Sequence, residues 1–402
     1  MALPPKAPDA ERDAAIAFAI EQWFAAHARD LTWRRTVATI NGVPTRDPYH
    51  SLVSELMLQQ TQVSRVIDRY NQFIARFPTV QDLARADEAD VLALWSGLGY
   101  YRRARLLHAA ARHVADTLNA VFPTDLASLR SLPGVGPYTA GAIASMALGQ
   151  RVPLVDGNVA RVLLRLDGAS GPMAQTGNKT AERWAWSRAA DLVATARGPG
   201  AFNEGMMELG ALVCTPAAPQ CHACPVATRC RAFAAGTQEL IPAPRQAIAR
   251  SSLYCAAVVI HDARGRVAIE QRSATGMWAG LWQAPTLERP DRAPRRAELL
   301  RWLGSPRDPG QRLERAESFA HNTTHREVAF DVWRWRGTPP APERWTWHHP
   351  DNLDSIALSS AQRRVLSTPP TPQKSRKAAR GPSRSGRVGT GATAAPSPAV
   401  ES

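Results

Sequence analysis

The chain has 402 residues, 44% of them apolar, with a formal net charge of +14. That length suits two or three domains with sizeable cores, and no run approaches the ~20 apolar residues of a membrane span. The N-terminus, MALPPKAPDAERDAAIAFAI, lacks the basic-then-apolar layout of a secretory signal, so a cytosolic protein is expected, nucleoid-associated if the source is prokaryotic, or a nuclear or organellar one if it is eukaryotic. Six basic residues and one Glu lie in 367–402, so this tail carries +5 and residues 1–366 the other +9. The excess suits a polyanionic partner. Dispersed arginines would give the same sum in a protein without one.

Residues 11–235 read mostly as helices. In SLVSELMLQQTQV, from Ser51, the apolar residues Leu52, Leu56, Val63, Ile67 and Tyr70 recur near the 3.6 period of one helix. Gln59 and Gln60 fall inside that stripe and Glu55 on its edge. A buried polar group without a partner costs about 1–3 kcal/mol, so these three are expected to face something other than core.

DLASLRSLPGVGPYTAGAIASMALG predicts a helix ending near Leu129, a Pro-Gly-rich turn and a second helix opened by Pro137. Gly134 and Gly136 let bare backbone amides approach a phosphate at a helix N-terminus. Such a hairpin anchors DNA without reading its sequence, and an ordinary helix–helix turn has the same outline. In PLVDGNVARVLLRL, Asp156 is placed to cap the helix running from Val159. The same carboxylate could sit opposite a developing cation.

Cys214, Cys221, Cys224 and Cys230 follow the spacing C-x6-C-x2-C-x5-C. In a cytosolic chain such a cluster points to metal before disulfides. Structural zinc usually takes two close cysteine pairs, and only one is present. A [4Fe–4S] cluster accepts more varied spacings, and Pro216, Pro219 and Pro225 keep the segment looped. The pattern favours iron–sulfur and leaves zinc open. Cys255, alone in an apolar run, reads as a core thiol.

QELIPAPRQAIAR, residues 238–250, reads as a linker. SLYCAAVVIHDARGRVAIEQR then reads as strand, turn at Asp262–Gly265, strand. SFAHNTTHREVAFDVWRWRG reads as a later alternating strand, with Val328, Phe330 and Val332 on one face and Trp333 and Trp335 on the other. A mixed α+β domain over 251–366 follows. Residues 367–402, rich in Pro, Ser, Gly, Arg and Ala, are expected to be disordered. Their charge either adds salt-sensitive DNA affinity or is simply solvated.

The succession SELMLQQTQV, GLGYYRRARLLHAA, LPGVGPYTAGAI, VDGNVARV, FNEGMMELGALVC and the four-cysteine loop resembles the helix-hairpin-helix DNA glycosylases. More narrowly it resembles their adenine DNA glycosylase (MutY) subfamily, from about Leu31 to Cys230. SLYCAAVVI and GMWAGLWQAPTLE resemble the Nudix-like domain that follows in that subfamily. The resemblance implies a mainly helical catalytic domain over 11–237 with a [4Fe–4S] loop at 214–230, the linker 238–250, an α+β Nudix-like domain over 251–366 and the basic tail. It implies a monomeric base-excision enzyme, with no membrane partner, that removes adenine opposite 8-oxoguanine or guanine in double-stranded DNA.

By the same resemblance, Glu55 is the general acid that protonates the adenine ring, and Asp156 stays ionised to stabilise the cationic sugar. Two carboxyl groups with separated pKa values suit this cleavage, as they do glycoside hydrolysis. Burial against Leu52, Leu56 and Met57 would raise the pKa of Glu55. Tyr138 and Asn158 assist, and Trp33, Arg34 and Glu204 surround adenine. Gln59 or Gln60 reaches the stack vacated by the flipped base, and Tyr100 wedges in on the 8-oxoguanine side, with helix packing the alternative for one of Tyr100 and Tyr101. Endonuclease III relatives carry a lysine where Tyr138 stands. A phenol cannot form the Schiff base that cleaves the strand, so a monofunctional enzyme is expected.

The string Phe319-Ala320-His321 matches a Phe-Ser-His loop that inspects 8-oxoguanine. Ala320 lacks the hydroxyl, for which Thr323 or Thr324 could substitute. LERPDRAPRRAELLRWLG, with Glu298 almost alone, does not supply the metal-holding Nudix box, so recognition rather than hydrolysis is expected of this domain. VATINGVPT, residues 37–45, looks like an inserted surface loop. Two other readings stand beside this one. A thymine- or uracil-mismatch glycosylase would also carry the tyrosine. A non-catalytic iron–sulfur DNA-binding protein would need neither Glu55 nor Asp156.

Overall fold

A computed structural model describes residues 9–40, 43–175, 178–243, 249–305, 312–338 and 341–367. The expected disorder after Ser367 lies outside the described residues. Helix α1 (Ala10–His27) is capped by Asp9, which accepts from the Arg12 amide at 3.1 Å. The insertion at 37–45 is an antiparallel hairpin of β1 (Ala38–Ile40) and β2 (Val43–Thr45) rather than a loop without strands. Helix α2 (Pro48–Leu58) starts where Asp47 accepts from the amides of Tyr49 and His50, with Pro48 in the first turn.

The helix expected to run on through Gln59 and Gln60 stops at Leu58, and α3 (Val63–Arg76) begins beyond a turn. Gln60 takes φ +55° there, a left-handed conformation that ends a helix. Leu52, Leu56 and Tyr70 still share one buried core, with Val63 and Ile67 packed against it. The apolar period therefore continues across a break that periodicity cannot see.

Short helices α4 (Val80–Arg85) and α5 (Glu88–Leu94) lead to α6 (Arg102–Arg112). The expected hairpin forms from α7 (Leu126–Ser131) and α8 (Pro137–Ala142). At its turn Gly134 takes φ +77°, and a Cβ there would lie 2.7 Å from Leu106 Cβ, whereas Gly136 faces open space. Asp156 caps α9 (Gly157–Leu166), followed by α10 (Lys179–Thr195), α11 (Pro199–Leu212) and α12 (Arg231–Ala234).

Helix α11 lies close to three neighbours through glycine. A Cβ on Gly200 would meet Ser145 O at 2.8 Å, one on Gly205 would meet Ile20 Cγ2 at 2.7 Å, and one on Gly210 would meet Asn158 Cβ at 2.6 Å. At the far end of α9, buried Arg188 donates to both Asp13 oxygens at 2.6 and 2.5 Å and to Asp167 Oδ2 at 2.6 Å. Arg12 donates to the other Asp167 oxygen at 2.7 Å. This closed set of ion pairs ties α1, α9 and α10 together.

Among the described residues the helical region thus has two large buried cores and a small third one of Leu164, Ala169, Ala181, Ala232 and Ile241. One large core gathers α2, α3, α6 and the α7–α8 hairpin, and the other gathers α1, α9, α10 and α11. Among the described residues no helix is long and apolar enough to cross a membrane.

The remainder is α+β. Strand β3 (Ser251–Ile260), a turn at Asp262–Gly265 and β4 (Val267–Gln271) form as expected. They are followed by β5 (Trp282–Gln283), β6 (Thr286–Arg289), α13 (Arg296–Trp302), β7 (Leu313–Asn322), β8 (Arg326–Trp335), β9 (Thr346–His348) and α14 (Ser360–Ser367). One sheet has the order β6-β3-β8-β7, with β3 and β8 parallel and the other pairs antiparallel. The second has the order β5-β4-β9.

The late segment read as one strand is two, β7 and β8. Thr323 turns the chain between them: its amide donates to Arg326 O at 2.8 Å and its hydroxyl accepts from Arg326 N at 3.0 Å. Val328, Phe330 and Val332 enter one core, Trp333 and Trp335 the other, as the alternation predicts. Leu281 and Ala357 join the helical core, and the Tyr101 hydroxyl donates to Leu358 O at 2.8 Å, so this region is seated directly on α6. Tyr101 is therefore the packing member of the tyrosine pair.

Candidate active site

Glu55 lies on α2, near Tyr138, Glu204, Asp156 and Arg46. It is 5% exposed, and among the described residues its Oε2 has no hydrogen-bond partner. Burial pushes its carboxyl up to about 7. The nearby hydroxyl of Tyr138 pulls the other way, the charges of Glu204 and Asp156 push further up, and Arg46 pulls down. Tyr138, in the first turn of α8, also donates to Met207 Sδ at 3.2 Å. Desolvation and the surrounding carboxylates hold its phenol well above the ordinary value.

Asp156 forms the expected helix cap. As N-cap of α9 it accepts from Val159 N at 2.7 Å, and Asn158 Nδ2 donates to its second oxygen at 3.1 Å. Burial raises its pKa, and those hydrogen bonds with the nearby Arg161 hold the rise back. Arg161 in turn donates to Asn158 Oδ1 at 2.9 Å, Gly210 O at 2.8 Å and Cys214 O at 2.9 Å. Asn158 is thereby a strut between Asp156 and the end of α11.

Glu204, buried on α11, is held by Arg34 Nε at 3.0 Å and by Arg46 Nη1 at 3.0 Å. Arg34 also reaches Glu208, which Arg29 grips through Nε and Nη2, both at 2.8 Å. These bonds hold the Glu208 carboxyl down at about 2, against the upward push of burial. Arg46, Arg29 and Glu208 escaped the sequence reading. Arg46 directly precedes the Asp47 cap, a position that reads as an ordinary helix start. Trp33 is buried in the core edge-on to Tyr70 at 5.4 Å.

The structure therefore gathers Glu55, Tyr138, Asp156, Asn158, Arg34 and Glu204. Gln59 sits just beyond, its Nε2 donating to Thr139 Oγ1 at 3.5 Å. Such an assembly can hold a proton on a carboxyl group at neutral pH while a second carboxylate stays hydrogen-bonded nearby.

A second group of expected residues lies in a cleft of about 1100 Å³ between the helical and α+β regions. Gln59, Gln60, Tyr100, His321 and Thr324 line it, together with Trp278, which the sequence reading overlooked. Tyr100 is 47% exposed, takes φ +47°, and its hydroxyl meets that of Thr324. Thr324, one of two residues considered as a substitute for the hydroxyl missing at Ala320, is thus the one facing Tyr100. Trp278 takes φ +56° and packs 5.7 Å from His321.

Phe319 differs from expectation. It lies within β7 rather than a loop, stacked on Phe330 at 5.0 Å and covered by the Arg364 guanidinium at 4.1 Å. It pairs with Phe330 in the sheet, on the same strand face as His321, and is not among the residues lining the cleft. Glu298 is taken up by Arg292, through two contacts of 2.8 Å, and by the Arg295 amide.

Cys214, Cys221, Cys224 and Cys230 line one small cavity with Arg165 and Phe233. Arg165 Nη1 lies 3.4 Å from Cys214 Sγ. Among the described residues no three His, Cys, Asp or Glu side chains meet as a ready single-ion site. A cavity ringed by four thiols, with no His, Asp or Glu among its lining residues, has the donor set of a thiolate-bound metal group.

Comparison with known proteins places this geometry. Residues 53–186 match the HhH-GPD superfamily of base excision DNA repair proteins, and residues 256–368 match the NUDIX domain. The adenine DNA glycosylase of Homo sapiens is 35% identical, over 86% of this chain and 72% of its own length. That of Mus musculus is 36% identical, over 86% and 76%, and that of Buchnera aphidicola (Schizaphis graminum) 30% identical, over 76% and 83%. A solved thermostable thymine-DNA glycosylase aligns with 98% of its chain and 56% of this one, at 26% identity and a TM-score of 0.49. On this extended likeness to curated relatives from animals and bacteria, the chain belongs to the adenine DNA glycosylases.

Proposed function

We propose that the protein is a monofunctional glycosylase that hydrolyses the N-glycosidic bond of adenine mispaired with 8-oxoguanine or guanine in duplex DNA. The observation that carries this is Glu55, a buried carboxyl with an unpartnered oxygen and a pKa near 7, beside Tyr138 and Asp156. A glycosylase must first extrude its base from the duplex. Glu55 then protonates a ring nitrogen of adenine, and the C1′–N9 bond breaks with its electron pair leaving on the base. The sugar cation that forms lies opposite Asp156, whose hydrogen bonds from Val159 N and Asn158 favour its anion. Water adds at C1′, losing its proton to a carboxylate and leaving an abasic site.

Glu204, fixed by Arg34 and Arg46, is the group that would orient adenine. Tyr138 supplies no amine, so strand cleavage through an imine is not expected. Opposite-strand inspection falls to the cleft, with Tyr100, Gln60 and His321 in its wall. Cys214, Cys221, Cys224 and Cys230 would hold a [4Fe–4S] cluster, which when bound would cross-link the loop through four thiolates. Arg161 and Arg165 fasten that loop to α9.

The test is single-turnover base release from duplexes carrying A:8-oxoG, A:G and T:G, with and without alkali. Fast release from A:8-oxoG, with strand breaks only after alkali, is expected. Release confined to T:G would overturn the substrate, and breaks without alkali would overturn the role of Tyr138.

A further inference from the structure

In the wall of the cleft lies a largely buried cation that the chemistry above does not use. Arg103, 7% exposed on α6, makes six hydrogen bonds, five to carbonyls and one to a hydroxyl. Its Nη1 donates to Leu56 O at 2.8 Å and Met57 O at 3.0 Å, in the last turn of α2, and to Gln59 O just beyond it, which also accepts from the Thr61 hydroxyl. Its Nη2 donates to Thr61 Oγ1, Leu98 O and Gly99 O, each at 3.1 Å. The guanidinium also lies over the rings of Trp95 at 5.5 Å and Tyr100 at 5.4 Å.

No carboxylate pairs with this side chain among the described residues, and its Nε has no partner. A buried charge without a counter-ion is an expensive way to terminate a helix. The two turns it joins have something in common. Each presents a bulky residue in the left-handed region, Gln60 at φ +55° and Tyr100 at φ +47°. That conformation is disfavoured for such side chains and persists only where the surroundings impose it. Both residues line the same cleft.

We propose that Arg103 is a positioning residue that clamps the 59–61 and 98–100 turns at a fixed separation, so that Gln60 and Tyr100 meet the duplex as a preset pair during base extrusion. This rests on the reading of those two side chains as DNA-entering. Arg103 touches neither adenine nor the reacting sugar in this account. Its contribution is confined to prising the base from the stack, a step whose cost falls when the base is already unpaired.

The experiment compares adenine release by the full-length protein from an A:G duplex with release from the same sequence in which adenine sits in a locally melted bubble. Arg103→Met retains the stem and loses every hydrogen bond; Arg103→Lys retains the charge and can reach only some of the carbonyls. Arg103→Met is expected to slow single-turnover release from the duplex by about tenfold or more and from the bubble by less than about threefold. Arg103→Lys is expected to fall between it and the wild type. Equal losses on both substrates would make Arg103 a fold residue and overturn the proposal. If Arg103→Met does not fold, the duplex-to-bubble ratio of Arg103→Lys decides in the same way. Gln60→Ala and Tyr100→Ala separate the two layers. If they leave that ratio unchanged, the DNA-entering reading fails; if they change it and the Arg103 variants do not, only the clamp fails.

Discussion

The two ends of α9 carry the same residue type in opposite circumstances. Asp167, at the C-terminal end, faces the negative pole of the helix and is held there by Arg12 and Arg188, with Asp13 completing the set. Asp156, at the N-terminal end, sits at the positive pole, where amide and Asn158 hydrogen bonds suffice. Among the described residues no arginine pairs directly with it, and its neighbour Glu55 keeps an oxygen without a hydrogen-bond partner. Charge that is closed by arginine holds helices together. Charge left open, at a helix end that can bear it, is available to a reaction.

Three measurements break or sharpen this contrast. The largest effect is expected from Glu55→Gln: single-turnover adenine release should fall by about 10²–10⁴-fold, the usual worth of a general acid, while mispaired DNA still binds. Unchanged release would place the acid elsewhere. Arg188→Met should do the reverse. Leaving Asp13 and Asp167 buried with one partner fewer is expected to cost about 3–5 kcal/mol of stability, read from urea midpoints, with release per folded molecule unchanged. A matching loss of release would mean that the two ends of α9 are not separate.

The third measurement concerns pH. Glu55 holds its proton up to about 7 in the folded chain against an ordinary 4.5. The folded state therefore binds the proton more tightly than the unfolded state between those values. Stability should fall as pH rises through that window, by up to about 3 kcal/mol, and level off above it. Glu55→Gln removes the titration, so its advantage in urea midpoint over the wild type should be small at pH 4.5 and grow towards pH 8. A constant difference would show that Glu55 is not buried as an unpaired acid.

Much of the site was legible because its residues sit in short strings with fixed local geometry. Asp156 two residues before Asn158, Gly134 before Gly136 and Pro137 at a helix start each specify a cap or a turn on their own. What escaped was non-local. The carbonyls at the break after Leu58 are taken up by Arg103, some forty residues on, and the apolar rhythm of Leu56, Val63 and Ile67 hides the break. Arg46 and Arg34 converge on Glu204 only after α11 packs back against the start of the chain. The second half of SFAHNTTHREVAFDVWRWRG folds onto the first because Thr323 closes a turn, although alternation alone reads straight through. That pairing puts Phe319 in a sheet against Phe330 rather than in a loop, and it brings Thr324 to Tyr100.

The three glycines of α11 have a consequence for how this protein can vary over generations. Gly200, Gly205 and Gly210 each leave a neighbour less than 3 Å from where a methyl group would be, and Glu204 rides on the helix they seat. A single added carbon at Gly200 or Gly205 would push α11 away from Ser145 or Ile20 and shift the carboxylate from its arginines without touching any residue of the pocket, and one at Gly210 would press on Asn158 itself. Inherited change should therefore gather on the exposed side of α11, at positions such as Leu212. A sequence that lost one of these glycines could be impaired while every catalytic residue remained in place.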